Sequence, residues 1–178
     1  MTAKIKLLCL SACMLTACSG MQGGSPQDQY IAAMSQCEKL EALVAGHKKG
    51  FPVLRTTQTT VKYMDIWKAR YHLIGDACQV WGWGNNKFSY VCTLTEPAKE
   101  VAMSHYEQAK SKAAECLGSG WTMKEGPRKQ GEGVQATFSK AGETTVVTTM
   151  AVSSPQMFAS EWRSYYFVGD PGDVLPNQ

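Results

Sequence analysis

Between Trp67 and Thr93 the chain carries two turn signals, and each fixes a hairpin register without reference to the other. Gly75-Asp76 is a two-residue turn pair. It sets Ile74 opposite Ala77, Leu73 opposite Cys78, Tyr71 opposite Val80 and Ala69 opposite Gly82. Gly84-Asn85-Asn86 suits a three-residue turn, which sets Cys92 opposite Cys78, Tyr90 opposite Val80 and Phe88 opposite Gly82. Side chains alternate with period two along a strand. Both registers therefore put Trp67, Ala69, Tyr71, Leu73, Cys78, Val80, Phe88, Tyr90 and Cys92 on one face. That pattern specifies a three-stranded antiparallel meander with one buried face.

The remaining elements follow from periodicity. Ser25-Pro26 reads as a helix N-cap and first helical position. Tyr30, Ala33, Met34, Cys37, Leu40, Leu43 and Val44 then recur at helical spacing until Gly46. Thr95 and Pro97 open a second helix, ended by Gly118, with Val101, His105 or Tyr106, Ala109, Ala113, Cys116 and Leu117 inward. Strands are expected over Trp121 to Lys124, Gly133 to Ser139, Thr144 to Val152 and Trp162 to Val168. The order is α-βββ-α-βββ(β). The fold class is α+β: a mainly antiparallel sheet of about six strands with two helices on one face. An αβββ duplication fits that order, although the halves share no clear sequence similarity.

The N-terminus adds an address. Lys4 and Lys6 precede an 11-residue apolar or small run, Leu7 to Ala17. A spanning helix needs roughly 20 apolar residues, so this run is the length of a signal-peptide core. It ends Leu15-Thr16-Ala17-Cys18. This resembles the lipobox of bacterial prolipoproteins: an aliphatic residue, two small ones, then cysteine. The resemblance implies cleavage before Cys18, lipidation of its thiol and attachment to a bilayer. Residue Ser19 after that cysteine implies an outer-membrane destination facing the periplasm. Residues 1–17 are then a leader and residues 18–26 a lipidated tether within the small, polar run Ser19 to Gln29. Residues 27–178 form one domain. Loss of Lys4 and Lys6 lowers the formal charge from +3 to +1, so no electrostatic case for nucleic acid remains.

Four cysteines remain beyond Cys18: Cys37, Cys78, Cys92 and Cys116. An even number in an exported chain points to two disulfides. The meander register makes Cys78 and Cys92 cross-strand neighbours, about 4.5–5.5 Å apart at Cβ. Cys116 lies about 28 Å along the second helix from Cys92 at 1.5 Å per residue, which directs it to Cys37. The expected bridges are Cys78–Cys92 and Cys37–Cys116; the rival is Cys37 with a strand cysteine.

The opposite face of the meander carries Lys68, Arg70, His72, Gln79, Trp81, Trp83 and Lys87. The same register puts Arg70 opposite Trp81, and Trp83 between Lys68 and Lys87. Paired indoles with cations and a glutamine suit a sugar ring or a protein edge. The same residues also suit cation–π stacking that merely stabilises a sheet, or a face covered by the Gly46–Thr60 loop. Neither a metal-ligand spacing nor a cofactor motif is present. The residues Gly118-Ser119-Gly120 read as a helix end rather than a nucleophile elbow, and Glu96 and Glu100 as carboxylates in a helix's first turn. The expected function is a non-enzymatic binding or accessory module, with an envelope protein or a cell-wall glycan as partner and an assembly, inhibitor or immunity role. The alternative is an envelope hydrolase or transferase assembled from distant residues, with His72, Asp76 and Glu96 as its first candidates.

Overall fold

The structure is a computed structural model, and it describes residues 25–128, 131–155 and 160–174. Residues 1–24, on which the expected leader, Cys18 and most of the expected tether fall, lie outside the described residues. Helices α1 (Pro26–Ala33) and α2 (Gln36–Gly46) come first, then a short 3-10 turn at His47–Lys49. Strands β1 (Arg55–Val61), β2 (Met64–Ala69), β3 (Ala77–Trp83) and β4 (Lys87–Glu96) follow. Helix α3 (Lys99–Leu117) precedes β5 (Thr122–Pro127), β6 (Gly133–Ser139), β7 (Val146–Pro155) and β8 (Ser160–Gly169). All strand pairings are antiparallel. They form one eight-stranded sheet, ordered β1-β2-β3-β4-β8-β7-β6-β5. The α+β class and antiparallel sheet agree with the sequence reading, but the described residues form eight strands rather than about six and three helices rather than two. Each half is a helical segment followed by a four-stranded meander. The last strands of the halves, β4 and β8, meet at the centre.

The expected first helix is two helices because a second cap interrupts it. Ser25 and Asp28 form a capping box at α1, and Ser35 and Glu38 form another at α2. Each satisfies two backbone N–H groups that a helix start leaves free. The break turns Tyr30 outward, where it is exposed. Helix α3 starts at Lys99, so Glu96 is the last residue of β4 and not part of the helix's first turn. Gly118, at φ +71°, ends α3 as expected, since only glycine takes that conformation without strain.

The β3–β4 register is the expected one, with Cys78 opposite Cys92, Tyr90 opposite Val80 and Phe88 opposite Gly82. The β2–β3 register is not. Trp67, rather than Tyr71, faces Val80, and Lys68 faces Gln79. The β2–β3 connection is not a two-residue turn at Gly75-Asp76 but the loop 70–76, which contains that pair; the tight turn at Lys62-Tyr63 belongs to the hairpin before it, between β1 and β2. The register has slipped by four residues. An even slip preserves the face of every side chain. Within the strands, Ala69, Cys78, Val80, Tyr90 and Cys92 consequently lie in the main core, with Trp67 and Phe88 packed against it; Tyr71 and Leu73 reach the same core from the loop. Gly82 permits the Trp67 and Phe88 rings to close over the backbone; a Cβ there would stand 2.7 Å from the Trp67 ring. The Arg55 guanidinium stacks on both rings, at 4.4 and 4.3 Å from their centroids, and donates to the Gly50 carbonyl.

Helices α2 and α3 cover this face with Leu40, Leu43, Ala102, Tyr106, Ala109 and Ala113. Both expected bridges form: Cys37–Cys116 joins the two helices and Cys78–Cys92 joins β3 to β4. His47 is buried, its Nδ1 2.8 Å from Thr145 Oγ1. Burial holds its pKa below the ordinary value of 6.5, against the opposing pull of Asp170 and Asp173. Below that value the unfolded chain takes up a proton that the folded chain resists. Stability is therefore expected to decline as pH falls below about 6.5. Thermal midpoints of the parent and of His47→Gln, measured from pH 7 downward, check this. The variant should have a shallower slope in that window, and an identical slope would exclude His47 as its source.

Candidate functional site

The second sheet face differs from the expectation. Trp81, Val91, Val146, Met150, Val152, Tyr165 and Phe167 form a second buried cluster there, with Met64, Ile66, Trp83 and Val174 packed against it. The face is apolar at its centre, not polar, because alternate residues of β3, β4, β8 and β7 converge on it. Trp81 and Trp83 do share this face and touch edge to face, with centroids 5.8 Å apart. Trp81 is only 9 % exposed, and its Nε1 donates to Gln79 Oε1 at 2.8 Å. Trp83 is half-buried, and its Nε1 has no hydrogen-bond partner.

The slipped register redistributes the expected cations. Trp81 faces Ile66, and Trp83 faces Met64 on one side and Lys87 on the other. Lys68 is exposed beside Gln79, one pair away from Trp81. Arg70 leaves the sheet; its guanidinium pairs with Asp28 of α1 at 2.6 Å. The Ser25 hydroxyl and that guanidinium hold the Asp28 carboxyl below the usual carboxylate range. Lys87 is exposed and reaches Asp173 at 3.5 Å. No cation stacks over Trp81 or Trp83; among the described residues the cation–π contacts fall elsewhere.

A concavity lies on the helix side. A cleft of about 380 Å³ opens between α2, α3 and the 70–76 loop, above β4 and β8. Leu73, Ile74, Leu94 and Tyr166 give it an apolar floor and wall, while Gln36, Gln108 and Lys112 give it a polar rim. Such an arrangement receives an apolar body and orients it by a few polar contacts. Cys116 lines the cleft, so the Cys37–Cys116 bridge fixes its width by tying α2 to α3. Loop 70–76 is held by Tyr90, whose hydroxyl donates to the Tyr71 carbonyl at 3.0 Å and accepts from the Leu73 N–H at 3.3 Å. Burial keeps that phenol protonated by pushing its pKa well up.

His105 is at the cleft wall and leads to a buried network. Its Nδ1 lies 2.7 Å from Glu96 Oε1, and the Ser164 hydroxyl donates to the same oxygen at 2.7 Å. The residue types are those of a hydrolytic triad, but the order differs. In a triad the imidazole stands between serine and carboxylate. Here the carboxylate stands between serine and imidazole, and Ser164 is 2 % exposed. The network ties the start of α3 to β4 and β8 and does not ready a nucleophile. Residues His72 and Asp76 lie on the 70–76 loop, and no hydrogen bond or ion pair joins either to Glu96. Among the described residues no cluster of three metal-ligating side chains occurs, and no helix is long and apolar enough to cross a membrane.

Sequence reasoning found both bridges and that Trp81 and Trp83 share the second sheet face, but not that the face is buried nor which residues stand opposite them. It missed the cleft, whose lining comes from five separated segments. The one available signal was the apolar Leu73-Ile74 pair in a loop, with no strand neighbour to bury it. No known protein family, curated protein or solved structure matches the chain.

Proposed function

We propose that this chain is a bacterial envelope lipoprotein, tethered by acylated Cys18, whose disulfide-braced domain is a non-enzymatic binding or accessory module. One observation carries the reading. All four cysteines beyond Cys18 are consumed in two bridges, which leaves Cys18, in its lipobox-like setting, the odd cysteine of the mature chain. Stable disulfides belong to an oxidising compartment, as an exported chain requires. The arrangement around Glu96 supports binding over hydrolysis, because the serine bonded to its carboxylate, Ser164, is buried. The partner is an envelope protein or a cell-wall glycan, and the α2–α3 cleft is its entry point. An apolar side chain or lipid-like group sits on Ile74 and Leu94, with Gln36, Gln108 and Lys112 at the mouth.

The test has two arms. Radiolabelled palmitate should enter the parent chain and not Cys18→Ala. Capture from the native envelope after mild cross-linking should return a specific partner with the parent and lose it with Ile74→Glu. Loss with Trp83→Ala alone would move the site to the second face. Equal capture by every variant would refute both sites.

A further inference from the structure

Beyond that reading, we propose that two copies of this chain pair through their β1 strands, antiparallel, about a two-fold axis at Gln58. Strand β1 ends the sheet, so it has a strand neighbour on one side only. Every residue from Thr56 to Val61 is exposed. A bare edge of this kind templates pairing with another chain unless charges, proline or a bulge blunt it. The opposite edge, β5, is blunted: it carries Lys124, Glu125 and Pro127. The stretch Thr56–Val61 has neither charge nor proline. Its one blunting feature is a register shift against β2 between Arg55 and Gln58, at Thr56-Thr57, while Gln58–Val61 continue as a regular ladder.

The residue order identifies the partner as a second copy. Thr56-Thr57-Gln58-Thr59-Thr60 reads the same in both directions. Antiparallel pairing about Gln58 therefore sets Gln58 against Gln58, Thr57 against Thr59 and Thr56 against Thr60, with no like charges opposed. Two-fold interfaces require this self-complementarity, in which residue i meets j and j meets i. The hydroxyls divide accordingly. Thr56 and Thr60 spend theirs within the hairpin, on the Lys68 carbonyl and on Asp65. No intrachain bond engages the Thr57 or Thr59 hydroxyl, and these are the residues set opposite each other across the axis. Cross-strand threonine pairs of this kind are favourable. Tyr63, 95 % exposed, and Val53, 54 % exposed, flank the strand in the turns at its two ends. With Val61, these are three of the five large apolar side chains left exposed among the described residues.

The experiment is photo-crosslinking of the full chain in its host envelope, with benzoylphenylalanine at position 58. The expected adduct has twice the mass of the chain, and its cross-linked peptide maps to β1 of the second copy. Thr57→Lys/Thr59→Lys places cations opposite one another. It should abolish the adduct while the unfolding midpoint of the purified chain stays put. Thr122→Lys, on the other edge, should leave the adduct intact. An adduct with a different protein, no adduct at all, or an adduct unchanged in the double-lysine variant would each overturn the proposal. Should the lysines disturb folding, the mass and map of the parent's adduct still decide it.

Discussion

Replacing Cys37 and Cys116 together by serine is expected to destabilise the domain by about 4–5 kcal/mol. The bridge spans a sequence separation of 79 residues. Closing so long a loop removes much of the freedom of the unfolded chain, and the loss grows with the logarithm of loop length. Cys78–Cys92 spans only 14, so its removal should cost about 3 kcal/mol by the same account. Chemical denaturation of the two double variants measures both. Because the long bridge also fixes the α2–α3 spacing, its loss should widen the cleft and weaken partner capture. The short bridge lies within the meander and should not affect capture while the domain stays folded. Equal losses of stability, or a greater loss from the short bridge, would overturn the loop-length account.

Trp81→Ala should cost about 3–5 kcal/mol, as removal of a buried aromatic ring does. The indole packs among Val91, Phe167 and other residues of the second cluster, and its truncation also strands the Gln79 side-chain carbonyl. Trp83→Ala should cost clearly less, since its ring is half-buried and its Nε1 has no partner to lose. Denaturation midpoints of the two single variants decide. A Trp81→Ala midpoint equal to the parent's would restore the indole to the role of a solvent-facing platform. The expected outcome has a practical consequence. Partner loss in a variant lacking Trp81 reports unfolding unless stability is measured beside it.

The core was legible despite a misplaced turn because pleat parity survives an even slip. Moving the β2–β3 register by four residues changes the neighbours of Trp67 and Lys68 but not their faces, while residues 70–74 leave the sheet and Tyr71 and Leu73 enter the core from the loop instead. The disulfides were legible for a related reason: the β3–β4 turn at Gly84-Asn85-Asn86 was right, with Asn85 and Asn86 both at positive φ. Strand β1 was missed because Arg-Thr-Thr-Gln-Thr-Thr-Val lacks the apolar alternation that reveals a half-buried strand. The break between α1 and α2 was present as Ser35-Gln36-Cys37-Glu38, a capping box whose signal the apolar spacing across it concealed. The second buried face could have been read from Tyr165-Tyr166-Phe167-Val168, a run with no alternation. Such a run marks a strand covered on both sides. The Glu96–His105–Ser164 network joins residues up to 68 positions apart. No local pattern encodes it.

The meeting of β4 and β8 at the sheet's centre has a kinetic corollary. Within each meander, successive strands are separated by short connections, so their pairing closes small loops and proceeds quickly. Joining the meanders brings Glu96 against Trp162 and Tyr90 against Val168, across α3 and three strands. That closure is the late step. Until it occurs, the half-built molecule presents an open β4 edge with Tyr90, Val91 and Cys92, residues that the finished sheet buries on both faces. Such an edge is an aggregation hazard for a nascent chain. Its protection during synthesis falls to whatever holds the chain until its second half arrives.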